Sequence, residues 1–221
     1  MPYFLNDSIN LLFIHIPKTG GTSLEYYFSK KFNIPLNEKS LYMYPSNKSY
    51  IKTTLQHMTY QTIMKYKTEL NINEINLEII SIVRNPYNRI ISDLFYYKKI
   101  NSSLSKDDIY VIMTKHVKEN IDNHSCPQHL FITDDKNILP NIKILKTESL
   151  NHDMYNLGYD DFMLHENKNT IRSNYLEFLN NDSIKFINEY YHYDFILFGY
   201  QKIQERRSAT ESEVKLWNAV E

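Results

Sequence analysis

Three short apolar runs stand out along the chain, at residues 11–16, 78–83 and 142–146. Each is dense in Ile, Leu, Val or Phe and is bounded by polar or turn-forming residues, the pattern of a strand buried on both faces. The first leads through a glycine turn into residues 23–32, where Leu24, Tyr27, Phe28 and Phe32 recur at helical spacing and lysines fill the last turn. The second leads through Arg84-Asn85-Pro86 into a segment reaching Lys99, with Ile90, Ile91, Leu94, Phe95 and Tyr97 as an apolar stripe. Pro86 suits a first helical turn, where its missing N–H costs nothing. Residues 56–69 predict a further helix through Met58, Ile63, Met64 and Tyr66, with Thr59 as its cap. Asp182 is expected to cap a late helix carrying Ile184, Phe186, Ile187 and Tyr190 or Tyr191. Residues 101–108 and 133–140 are polar and read as loops. Strand followed by helix, repeated, predicts an α/β fold: one domain with a central parallel sheet flanked by helices.

The chain has 221 residues, of which 42 % are hydrophobic, enough for one domain with a sizeable core. Residues 1–208 contain no alanine, whereas Ala209, Ala219 and the single Trp217 fall at the end. The domain is therefore placed at 1–204, with 205–221 as an appendage of different composition. A formal net charge of −1 argues against a nucleic-acid binder, so any anionic ligand must be held by a local site. The single Cys126 excludes an intramolecular disulfide and a Cys-based zinc site. No leader or membrane-spanning run is read, and a soluble, cytoplasmic protein is expected.

The turn after the first apolar run reads Pro17-Lys18-Thr19-Gly20-Gly21-Thr22-Ser23. A strand, a glycine turn and a helix start form a general phosphate-holding arrangement, because the first amides of the helix are unpaired and point at the anion. Gly20 and Gly21 permit a tight turn, Thr22 and Ser23 add hydroxyls, and Lys18 adds charge. An ATP-binding loop needs its lysine after the second glycine; here Lys18 precedes both. A second anion anchor follows the second run: Arg84 stands where ligands of open α/β sheets gather, and Ser92 lies about two turns along the next helix. Arg89 is read as structural, tying that helix to the sheet through a carboxylate.

Transfer of a group from a bound anion to an alcohol needs an acceptor for the hydroxyl proton, and His57 is the candidate, since histidine titrates near neutrality. Of the other histidines, His15 reads as a packed strand residue, and His116, His124, His129, His152, His165 and His192 carry no surrounding motif. Glu25 is the rival base, or else a solvated acid of the helix's first turn. No acidic cluster at metal-ligand spacing is seen, so no metal is expected.

The order Pro-Lys-Thr-Gly-Gly-Thr-Ser resembles the 5′-phosphosulfate loop of sulfotransferases that use 3′-phosphoadenosine 5′-phosphosulfate (PAPS). It is similar in particular to carbohydrate sulfotransferases of the heparan 2-O/6-O type and their microbial and viral relatives. Arg84-Asn85-Pro86-Tyr87 with Ser92 resembles that family's 3′-phosphate motif, and His57-Met58-Thr59 its H-x-T region. Glu166-Asn167-Lys168-Asn169-Thr170 resembles its Asn-bearing loop near the nucleotide. The stretch from Asp194 to Tyr200 resembles its closing segment and reads as core. The resemblance implies a P-loop-like sulfotransferase fold, in which Lys18, Thr19, Gly20, Gly21, Thr22 and Ser23 hold the phosphosulfate. It further implies that Arg84 and Ser92 hold the 3′-phosphate, His57 acts as base and the nucleotide leaves as PAP. The expected acceptor is a glycan or small hydroxylated molecule, near Gln128 and His129. The rivals are a nucleotide kinase or NTPase, and a non-enzymatic nucleotide- or carbohydrate-binding protein on the same scaffold.

Overall fold

The computed structural model describes residues 2–42, 53–134, 137–163 and 174–204. The 205–221 appendage and the 166–170 loop lie outside them. The strands are β1 (Tyr3–Leu5), β2 (Asn10–Ile14), β3 (Glu78–Val83), β4 (Thr133–Asp134), β5 (Asn137–Ile138) and β6 (Ile142–Lys146). The helices are α1 (Gly21–Phe32), α2 (Glu38–Leu41), α3 (Tyr60–Lys65), α4 (Pro86–Tyr96), α5 (Lys106–Glu119), α6 (Leu150–Asn156), α7 (Asn181–Tyr190) and α8 (His192–Phe198). Single 3-10 turns include Leu55–His57, Ile121–Asn123, Gln128–Phe131 and Tyr175–Phe178.

The main sheet has the order β1-β2-β3-β6. β2, β3 and β6 are parallel, with Ile14 opposite Ser81 and Val83 opposite Lys146. The expected all-parallel sheet needs one correction: β1 pairs antiparallel with β2 at the edge. β4 and β5 pair as a small hairpin inside the stretch read as a loop.

Alternation along the strands builds two core layers. Leu11 and Phe13 of β2, with Ile80 and Ile82 of β3, pack on Leu24 and Phe28 of α1 and on Leu150 and Met154 of α6. Leu12 and Ile14, with Val83, face Met58, Ile63, Phe131 and Ile132 on the opposite side. A side chain of this size contributes about 1.5–3 kcal/mol when fully buried. A third cluster unites α4, α5, α7 and α8 through Tyr87, Ile91, Leu94, Met113, Ile187 and Phe195. The late helix is capped by Asn180, whose side chain accepts from the Ser183 amide, and Asp182 instead sits inside its first turn. Among the described residues, no helix is long and apolar enough to cross a membrane.

Candidate active site

The parallel strands deliver three chain segments to one edge of the sheet, after Ile14, Val83 and Lys146. The loop after β2 is held by its carbonyls. Thr19 Oγ1 donates to Ile16 O at 2.8 Å, Arg89 Nε to Pro17 O at 3.0 Å, Arg84 Nη1 to Lys18 O at 3.1 Å and Thr147 Oγ1 to Thr19 O at 2.7 Å. Four consecutive carbonyls are thus drawn into the protein. In a trans peptide the next N–H points the opposite way, so the amides of Lys18, Thr19 and Gly20 face away from these donors. Lys18 and Gly20 adopt left-handed backbone, φ 66° and 90°, the alternation that gathers amides into an anion-binding concavity. Gly20 offers no side chain to cap α1, so the first amides of the helix join the same concavity.

Gly21 is required for a different reason. A Cβ there would stand 2.4 Å from the His15 ring. Gly21→Ala is therefore expected to displace His15 and cost about 1–3 kcal/mol of stability; thermal unfolding and turnover of the variant measure both effects.

His15 follows β2 and is buried as expected, but it is part of the site's hydrogen-bond network. Its Nδ1 lies 2.6 Å from Glu25 Oε1, and Gln56 Nε2 donates to both Glu25 oxygens at 2.9 and 2.7 Å. Burial alone would raise the Glu25 carboxyl, yet His15 and Gln56 outweigh it and hold the group below the usual range. Glu25 is therefore a buried, fully engaged carboxylate rather than a solvated first-turn acid. Its oxygens are taken, which leaves it poorly placed to accept a substrate proton.

His57 stands edge-on to His15, ring centroids 5.2 Å apart. Its Nδ1 is 2.7 Å from Asp122 Oδ2, and Asp122 also accepts from Thr54 N and Oγ1. Burial raises and these hydrogen bonds lower the Asp122 carboxyl, with a net fall. An ionised carboxylate only accepts, so Nδ1 of His57 carries the proton and Nε2 presents its lone pair. Burial lowers the His57 pKa further than Asp122 raises it, with His15 and His124 adding to the fall, so the imidazole is neutral at neutral pH.

Two groups here escaped the sequence reading. Asp122 and His124 flank Asn123 in a turn where Asn120, Asp122 and Asn123 all have positive φ, at 39°, 51° and 60°. Left-handed backbone at non-glycine residues costs energy and concentrates at functional sites. His124 lies edge-on to His57 at 4.9 Å, and its Nδ1 is 2.7 Å from Asp93 Oδ1. The other Asp93 oxygen bonds His116 Nε2 at 2.6 Å. Donor atoms of His57, Asp122 and His124 lie within 4.8 Å of one another, a grouping with metal-ligand composition that the sequence reading did not see.

Lys18 sits at the mouth with its ammonium 4.2 Å above the Tyr96 ring, and Tyr96 in turn stacks on His124 at 5.5 Å. Burial lowers the Lys18 pKa, Asp93 opposes this and Arg84 reinforces it. Arg84 joins the loop, as described, and its guanidinium lies 5.5 Å from the Tyr175 ring. Thr22 is exposed and Ser23 half-buried at the start of α1. Ser92 is half-buried on α4 and, among the described residues, shares no hydrogen bond with Arg84 or the loop. Arg89 is structural as expected, but it grips the carbonyls of Pro17 and His124 rather than a carboxylate. Gln128 does not line a cleft: it is buried, and its side chain pairs with both backbone groups of Arg84. His129 bonds Asp194, whose carboxylate also accepts from the Gln128 and His129 amides.

Strand ends where loop amides gather beside a carboxylate-oriented imidazole have the arrangement a group-transfer site needs. A family model described as the sulfotransferase family matches residues 1–130, which include the loop, His57, Arg84, Ser92, Asp93, Asp122 and His124. The chain belongs to the sulfotransferase family, whose chemistry is the movement of a sulfuryl group to an acceptor. No curated protein and no solved structure matches it.

Proposed function

We propose that the protein transfers the sulfuryl group of PAPS to an acceptor hydroxyl on a carbohydrate, releasing PAP, with residues 1–204 as the catalytic domain. The observation that carries this reading is the loop whose four carbonyls are drawn inward, which leaves amides of Lys18, Thr19 and Gly20 for a phosphosulfate. Gly21, Thr22 and Ser23 extend the cradle into α1. His57 Nε2 takes the acceptor's proton as the acceptor oxygen bonds to sulfur. The bond from sulfur to the bridging phosphate oxygen breaks, and its electron pair stays on PAP. Lys18 meets the charge that develops on that oxygen. Arg84 and Ser92 hold the 3′-phosphate, and no step requires a metal. Tyr42, exposed at 52 %, supplies a ring face of the kind on which sugars stack, which supports a carbohydrate acceptor.

Calorimetric titration tests the donor. PAP is expected to bind more tightly than ATP, and equal affinity overturns the reading. Loss of a charge-assisted hydrogen bond costs about 1.5–3 kcal/mol. Arg84→Ala should therefore weaken PAP about 10- to 150-fold and remove most of the preference for a 3′-phosphate.

A further inference from the structure

We infer that the acceptor is a vicinal diol, one hydroxyl reacting at His57 and its neighbour anchored by His124. The inference rests on the donor-and-base reading above and adds to it a second imidazole and a substrate class.

Each of the two rings is turned by its own carboxylate: His57 Nδ1 toward Asp122 and His124 Nδ1 toward Asp93, both at 2.7 Å. Asp93 is fully buried and receives two histidine donors. Burial raises its carboxyl, but those donors and their charge outweigh this and hold it far below the usual carboxylate range. It therefore accepts only, and Nδ1 of His124 carries a proton just as that of His57 does. Each ring is thus left with Nε2 to meet a substrate, and that of the neutral His57 carries a lone pair. The rings cross at 85° with centroids 4.9 Å apart, and their side chains keep 10 % and 7 % exposure. One hydroxyl has one proton to give and serves one imidazole. Nε2 of His124 calls for a second partner close to the first, which a neighbouring hydroxyl of a sugar ring supplies, since a hydroxyl both donates and accepts. Arg89 fixes the geometry from behind, since its Nη2 holds the His124 carbonyl at 2.7 Å. Asn123 Nδ2 ties the same turn to the His57 carbonyl at 3.1 Å.

Two measurements decide it. With PAPS as donor, kcat/KM for cyclohexane-1,2-diol should exceed that for cyclohexanol about tenfold or more, well beyond the statistical factor of two, because a site built to bond a hydroxyl rejects the analogue lacking it. In His124→Ala that ratio should fall to about two; the same ratio in both proteins overturns the inference. Turnover of neither alcohol counts against the donor-and-base reading itself, and the geometry is then decided without donor. Zn²⁺ accepts histidine nitrogen and carboxylate oxygen. Titrated alone, it should bind the wild type and lose at least tenfold in affinity in both His57→Ala and His124→Ala. Loss in only one variant, or in neither, shows that the two rings do not face one point.

Discussion

Replacing His57 with alanine is expected to slow sulfuryl transfer by about 10²–10⁴, the range a positioned proton acceptor supplies, while PAP still binds. The separation follows from the architecture. The loop is anchored by Thr19, Arg84, Arg89 and Thr147, none of which bonds the His57 side chain. The pH profile adds a sign. Burial depresses the His57 pKa below its ordinary 6.5 despite Asp122, so the rate should be full at neutral pH and fall through a midpoint below 6.5. Asp122→Asn removes the anion that raises this pKa, so the acid limb should move to still lower pH. The plateau should drop on the order of tenfold or more, because an amide no longer enforces the Nδ1–H tautomer. Stability follows the same linkage: the unfolded chain protonates His57 near ~6.5, so this contribution is complete above that pH and is lost as pH falls toward the folded value. Single-turnover rates across pH 4.5–8, on the order of the range histidine spans, read the kinetic part. Full activity in His57→Ala would remove the residue from the mechanism, and Glu25 would be a poor substitute given its three hydrogen bonds.

The parts of the fold legible in the sequence are those whose pattern is local. β3 and β6 have the expected bounds: β3 because a strand covered on both faces is a nearly continuous apolar run, and β6, an edge strand with Lys143 exposed, because Ile142, Ile144 and Leu145 still mark it. β1 is only Tyr3–Leu5, too short to show a period. α5 was hidden by its own start signals: Ser105 caps it and Asp107 and Asp108 fill its first turn, and these polar residues read as loop. Its buried Ile109, Met113, His116 and Val117 do recur at helical spacing and were the signal that could have found it. The site divides in the same way. The loop and Arg84 follow strands directly and carry recognisable strings. Asp122 lies 65 residues from His57 in the chain, and Asp93 lies 31 from His124. No local pattern relates them, and only the packing of α4 against α5 and the left-handed turn at 120–123 brings their side chains to the same place. Gln128 misled for a related reason: a polar residue in a polar stretch looks like a cleft lining, yet its amide satisfies the backbone of Arg84.

Replacing Arg89 with methionine is expected to be among the most damaging single changes outside the reacting groups. Arg89 is 1 % exposed and, among the described residues, is the largest fully buried side chain. Its Nε and Nη2 bonds run to carbonyls from different segments, Pro17 of the loop and His124 of the turn, and its guanidinium lies 5.9 Å from the Tyr191 ring. Methionine fills much of the volume but leaves both acceptors buried without a donor, at about 1–3 kcal/mol each. A loss of roughly 2–6 kcal/mol against a total stability of about 5–15 kcal/mol should be plain in urea unfolding. Arg89→Lys keeps the charge but not the fork, since an ammonium on a flexible stem does not reproduce a rigid, planar set of donors; it should recover only part of the loss. The functional consequence differs from that of Arg84→Ala. On the proposed reading Arg84 borders the ligand and holds one part-buried loop carbonyl, Lys18 O, so its loss should weaken PAP while lowering the unfolding midpoint less than Arg89→Met does. Arg89 holds the loop and the His124 turn together, so its loss should lower the midpoint, PAP affinity and the diol preference at once. An Arg89→Met protein with wild-type stability and wild-type PAP affinity would show that the carbonyls of Ile16, Lys18 and Thr19 suffice to hold the loop, and that Arg89 is not its keystone.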